Sequence, residues 1–187
     1  VIRIEIENGS VQVDRGTDGS VQVAGGVRRA ADTPEQLAMI ERVPLDFTGA
    51  PDPRTPSTLV IRAPKRPGEL PDAVMAFEVG FRIPPTLRLE ILIAANGKAT
   101  IKNREAATRV ETGRGDLRFE NCAGGVTART GKGVLIAWQH RGNLDVKTLD
   151  GDMQAFIETA GNLIQLVTQE GTIQCHVPPD LEYDLDA

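Results

Sequence analysis

The chain has 187 residues, 40% hydrophobic and 25% charged, which is ordinary globular usage and excludes general disorder. Its 21 Lys and Arg against 26 Asp and Glu give a net charge of −5, a poor basis for holding nucleic acid or an anionic membrane. No run of 18 apolar residues occurs, so no segment reads as a transmembrane helix, and two cysteines with two histidines form neither a disulfide framework nor a metal-ligand spacing.

The chain opens on Val1 within an alternating strand, Val1-Ile2-Arg3-Ile4-Glu5-Ile6. Natural sequence upstream, with any targeting segment, is therefore expected to be missing. Asn8-Gly9-Ser10-Val11-Gln12-Val13 returns as Asp18-Gly19-Ser20-Val21-Gln22-Val23, a two-strand pattern. Asp32-Thr33-Pro34-Glu35 reads as a helix start: a cap, a proline in the first turn and an acid at the positive end. The helix is expected to run to about Arg42 and to bury Leu37, Ile40 and Met39. Nine of the twelve prolines lie between Pro44 and Pro85. Loops are expected there, with strands near Leu45–Phe47, Thr58–Arg62 and Ala76–Ile83.

From Gly97 onward the chain repeats itself. Gly97, Gly115, Gly133, Gly151 and Gly171 are spaced 18, 18, 18 and 20, and Thr112, Thr130, Thr148 and Thr168 keep the same spacing of 18, 18 and 20. The second position after each glycine holds Ala99, Leu117, Leu135, Met153 and Ile173; the fourth holds Ile101, Phe119, Ala137, Ala155 and Cys175. Period-two alternation places these on one face. One such unit cannot bury its own apolar face, whereas units stacked about 4.8 Å apart can. The predicted fold is all-β: a single-stranded β-helix, or β-solenoid, with rungs of about 18 residues. Residues 1–86 are expected to be an irregular β-rich part with one short helix near 33–42. Residues 87–187 are expected to form the rungs, the whole as one continuous domain. Asn96-Gly97 and Asp150-Gly151 are expected to supply positive-φ turns between rungs. Ile83-Pro84-Pro85-Thr86-Leu87-Arg88-Leu89-Glu90 is echoed 94 residues later by Val177-Pro178-Pro179-Asp180-Leu181-Glu182-Tyr183-Asp184.

The order of these features resembles the bacterial adhesin-like, or toast-rack, family of β-helical envelope domains. The matching residues are the N-terminal Asn-Gly-Ser-Val-Gln-Val strands, the short helix and the Ile-Pro-Pro strand leading to Asn96-Gly97. They continue in rungs such as Thr112-Gly113-Arg114-Gly115-Asp116-Leu117 and Thr130-Gly131-Lys132-Gly133-Val134-Leu135. The resemblance implies an extracytoplasmic, envelope-associated binding or scaffold domain without catalytic residues, cofactor or metal. Alternatives are a bactofilin-like structural polymer assembling end to end, or the sensory domain of an envelope-stress system.

The residues themselves give little chemistry. Asp116, Asp145, Asp150 and Asp152 are the carboxylates that a polysaccharide-cleaving β-helix would use, but Asp150 and Asp152 flank a turn glycine and read as solvated corner residues. The column Lys98, Asp116, Val134, Asp152, Thr172 has too few acids for a repeated calcium site. Cys175 reads as an inward filler, with its neighbour His176 on the opposite face, and both Cys122 and Cys175 as free thiols. The recurring threonines read as turn-stabilising hydroxyls, not an ice-binding array. The chosen surface feature is an outward apolar patch of Ile136, Trp138 and Phe156. The N-terminal strands, the helix or the proline-rich loops are expected to cover it; otherwise it is an interface for a protein, a cell-surface polymer or a second copy.

Overall fold

The structure is a computed structural model that describes residues 1–17, 19–43, 46–64 and 74–180. The described strands in chain order are β1 (Ile2–Ile6), β2 (Gly9–Arg15), β3 (Gln22–Ala30), β4 (Thr48–Pro51), β5 (Leu59–Arg62), β6 (Val74–Ile83) and β7 (Leu89–Arg104). They continue with β8 (Thr108–Arg114), β9 (Leu117–Cys122), β10 (Val126–Lys132), β11 (Leu135–Asp150), β12 (Met153–Glu170) and β13 (Ile173–His176). One helix, α1 (Pro34–Glu41), lies between β3 and β4. It starts where Thr33 accepts a hydrogen bond from the Gln36 amide at 3.3 Å. Ile40 is buried and Leu37 half-buried, but Met39 faces solvent.

All thirteen strands belong to one sheet, and that sheet closes. The first half of β7 pairs with β8, β8 with β10, and β10 with the second half of β11. The first half of β11 pairs with β9, and β9 returns to the second half of β7. These five parallel strands form a closed barrel, with the other eight outside it. The barrel is flattened: β8 and β10 make one wall and β9 the opposite one, while β7 and β11 run along both.

This closure corrects the expected single-stranded β-helix, or β-solenoid, built of separate repeating rungs. The reason lies in two corners. Gly115, Gly133, Gly151 and Gly171 have φ between +133° and +149°, and there strands end. Gly97 is not among the positive-φ glycines, contrary to its expected turn role, and β7 passes through it unbroken for 16 residues. A Cβ at Gly97 would lie 2.1 Å from the Gly9 carbonyl oxygen, so close approach of β2 is what requires glycine there. β11 likewise stays paired past Gln139, whose φ is +51°. The two long strands therefore join the walls.

The pairing register keeps like residues beside one another. Val11, Ala99, Leu117, Leu135, Met153 and Ile173 are successive partners, as are Ile91, Val110, Ala128, Val146 and Leu166. Apart from exposed Ile173, their side chains join one continuous core, with Leu166 half-buried at its margin. Each buried Leu or Ile contributes about 1.5–3 kcal/mol relative to exposure. The N-terminal part is more regular than expected. β1 lies parallel between β5 and β7, and β2 parallel between β6 and β7, because Ile2, Ile4, Ile6, Val11 and Val13 supply the same inward alternation. Among the described residues only β3 on β6 and β4 on β5 are antiparallel. The expected strand at Leu45–Phe47 begins outside the described residues. Phe47 is not in a strand and packs edge-on against Phe77 and Phe81, with ring centroids 5.7 and 6.1 Å away. Of the expected last rung, residues 181–187 lie outside the described ones.

Candidate functional site

The wall formed by β9, the first halves of β11 and β12, and β13 carries an outward ladder. Successive positions are Lys102, Glu120 and Trp138, then Phe156 and His176. Lys102 pairs with Glu120 at 2.7 Å, and Arg118 also binds Glu120. The Trp138 and Phe156 rings follow, centroids 4.2 Å apart and tilted by 52°; Phe156 and His176 then stack at 4.5 Å and 3°. Parallel strand spacing of about 4.8 Å sets this ring separation. Ile136 is half-buried two residues before Trp138, facing the same way.

The structure thus brings Ile136, Trp138 and Phe156 to one surface, and adds His176. It does not cover them with the expected N-terminal elements: Trp138 is 43% exposed among the described residues. Those elements extend the sheet beyond β7, at the end away from β12 and β13. The rings lie against one another, so broad sugar stacking on the Trp138–Phe156 face is blocked by the neighbouring ring. Their exposed edges and Ile136 suit apolar contact with a protein surface instead.

The carboxylates weighed for catalysis have structural partners. Asp116 holds Lys98 at 2.8 Å and caps the Val134 amide at 3.1 Å; the Lys98 ammonium is the main reason that its pKa is lowered. Asp152 caps the Thr172 amide at 2.8 Å, Asp145 binds Arg129 at 2.6 Å, and Asp150 binds Lys132 at 2.6 Å. These are exposed or half-exposed contacts screened by water and salt, so each adds little to stability. Among the described residues no three His, Cys, Asp or Glu side chains cluster as a metal site, and no helix is long and apolar enough to cross a membrane. Thr112, Thr130, Thr148 and Thr168 each donate to the carbonyl two residues ahead, at 2.9–3.4 Å, stitching the corner before the turn glycine.

Both cysteines are free thiols. Cys175 is exposed rather than a buried filler, because β13 is the outermost strand of its wall. Cys122 is buried, and desolvation pushes its pKa up to about 11, so it is a neutral, inert thiol at pH 7.

Two columns escaped the sequence reading. Asn103, Asn121 and Gln139 all adopt positive φ, at 56°, 51° and 51°. Asn121 donates to Asn103 at 2.8 Å and Asn103 to Asp14 at 2.8 Å, and this hydrogen bond is the main cause of Asp14's lowered pKa. Immediately after them Arg104, Cys122 and His140 turn inward and are buried. Arg104 donates to the carbonyls of Ile83 and Pro84, both at 2.9 Å, and to that of Leu87. His140 Nε2 lies 3.0 Å from the Asn143 carbonyl, and burial lowers its pKa. The spacing of 18 at 103, 121, 139 and at 104, 122, 140 was the available signal.

A shallow groove of about 570 Å3 crosses the opposite wall, floored by Gly113 and Gly131 and flanked by Glu111, Arg129, Lys147 and Leu149. Comparison with protein-family models, curated proteins and solved structures finds no match to this chain.

Proposed function

We propose that this chain is a non-catalytic binding or scaffold domain of the bacterial cell envelope, and that the wall around Ile136, Trp138 and Phe156 meets its partner. The observation that carries the reading is the exposed ring ladder, an apolar surface on a wall whose neighbouring positions are closed ion pairs. The envelope placement rests on the sequence resemblance, not on the geometry. The ladder supports a protein partner over a polysaccharide, because the rings stack on each other. The polymer alternative has less in its favour, since Arg28 and Arg29 on β3 and Pro51 on β4 guard that end of the sheet against pairing with another copy.

Co-sedimentation with purified envelope membranes and, separately, with protein-free sacculi tests this reading. Retention on protein-bearing envelopes, lost in Trp138→Ala with Phe156→Ser while circular dichroism stays unchanged, supports it. Equal retention of that double variant, or binding to neither preparation, refutes it.

A further inference from the structure

We propose that His140 is a proton-operated release for the ring ladder: taking up a proton opens the corner of β11 and β12 and displaces Trp138 and Phe156, so mild acid lowers the wall's hold on its partner. The loss of the partner rests on the function proposed above; the movement of the rings does not.

The His140 side chain is fully buried, and its Nδ1 has no hydrogen-bond partner among the described residues. Nε2 lies 3.0 Å from the Asn143 carbonyl, which can only accept, so Nε2 carries the hydrogen and Nδ1 is the place left for a second proton. Asn143 Oδ1 in turn accepts from the Leu163 amide at 3.2 Å, which ties the imidazole to β12. This corner is where the pairing is least regular. β11 and β12 are in step at Ala137 with Ala155 and again from Leu144 with Ile164, but between those points the register shifts three times, on both sides of the His140–Ile157 pair. β11 also bends there, with positive φ at Gln139 and Gly142. Trp138 stands two residues before His140, and Phe156 one residue before Ile157, so both rings are mounted on the edge of this irregular stretch.

An imidazolium at this place would meet nothing that stabilises it. In the inward column its neighbour Cys122 is a neutral thiol, its pKa pushed up to about 11, and beyond it Arg104 is a buried cation. On β12 the partner Ile157 is apolar, while Glu158 is exposed and engaged by Arg141 at 3.4 Å. Among the described residues no Asp or Glu is buried. A charge without counter-ion or acceptor must reach water. Burial accordingly holds the His140 pKa below its ordinary value, the carbonyls of Asn143 and Gly142 offsetting only part of it. The closed corner refuses the proton, whereas an open one takes it at the ordinary value of about 6.5. The open form therefore gains up to about ten-fold per pH unit below that value, or up to about thirty-fold between pH 7.5 and 5.

Trp138 is the only tryptophan in the chain, so its emission and its near-ultraviolet circular dichroism read the ladder directly. The full chain is titrated alone from pH 7.5 to 5, and its retention on purified envelope membranes is measured at both ends of the range. The expected result is a reversible change in the Trp138 signals with far-ultraviolet circular dichroism retained. That change should persist in His176→Gln, which removes the exposed imidazole stacked on Phe156, and vanish in His140→Gln. Retention of the parent at pH 5 should be roughly five-fold lower than at pH 7.5, and that of His140→Gln equal at both. Trp138 signals that stay flat in the parent, or a change that disappears with His176 instead of His140, would overturn the proposal. Strong retention of the parent at both pH values would overturn the release alone, whereas no retention even at pH 7.5 would refute the partner reading and the release with it.

Discussion

Replacing Arg104 should be among the most damaging single changes available in this chain. Its guanidinium is 1% exposed and donates to three backbone carbonyls, those of Ile83, Pro84 and Leu87, fixing the bend between β6 and β7. Burial pushes its pKa downward, but a guanidinium stays charged in proteins, so the carbonyls carry the compensation. Arg104→Met preserves much of the volume and removes every donor. Each abandoned buried acceptor costs about 1–3 kcal/mol. The Leu87 contact is only partly buried and can recruit water, which brings the sum to about 4 kcal/mol. Against a stability of about 5–15 kcal/mol for a whole domain, that is a large fraction. With a urea slope of about 2 kcal/mol/M, the midpoint should fall by about 2 M. Arg104→Lys retains a charge and up to three donors without the planar fork, so it should lose about half as much. Equilibrium urea unfolding by circular dichroism reads all three proteins. A fall below about 0.5 M for Arg104→Met, at unchanged slope, would refute the claim that these carbonyls depend on the guanidinium.

Other expectations follow from the same geometry. Gly133→Ala puts a Cβ 2.3 Å from the Gly115 carbonyl oxygen at a φ of +147°, so it should cost several kcal/mol or prevent folding; a melting temperature within 2 °C of the parent would contradict this. Leu135→Ala, in the middle of a fully buried column, should lose about 2–5 kcal/mol in urea titration. In dilute protein a thiol reagent should label Cys175 quickly and Cys122 only on unfolding; two equally fast thiols would refute the burial assigned to Cys122. Stability should be flat just above pH 7. As pH falls below about 6.5 the unfolded chain protonates His140 before the folded chain does, so stability declines; His140→Gln should remove that first decline. A second decline should follow below about pH 4, because the lowered pKa values of Asp14, Asp116 and Glu120 mean that the unfolded chain again binds protons first. A urea midpoint that rises on acidification would refute both signs.

The inward residues were legible because alternation and an 18-residue spacing act on side chains one at a time. Leu117, Leu135 and Met153 could be placed from their neighbours in sequence. How the strands join could not, because it turns on whether particular corners interrupt pairing. Gly97 and Gly115 look alike in sequence, yet only Gly115 has positive φ, and the unbroken passage of β7 through Gly97 is what closes the barrel. The patch of Ile136, Trp138 and Phe156 was visible from parity alone. Its exposure was not, since that depends on which end the N-terminal strands join. Arg104 and His140 were passed over because a charged or polar residue reads as outward until its carbonyl partners, up to 21 residues away, are in view.

The insertion of β1 and β2 between strands from much later in the chain sets an order of events during synthesis. Ile2 sits beside Leu59 and Leu89, and Gly9 beside Phe77 and Gly97. A nascent chain must therefore keep this apolar stretch waiting until β7 has left the ribosome, several seconds later at roughly 5–20 residues per second. During that interval its isoleucines lack the β7 side of their pairing, and holding factors would find their best opportunity there.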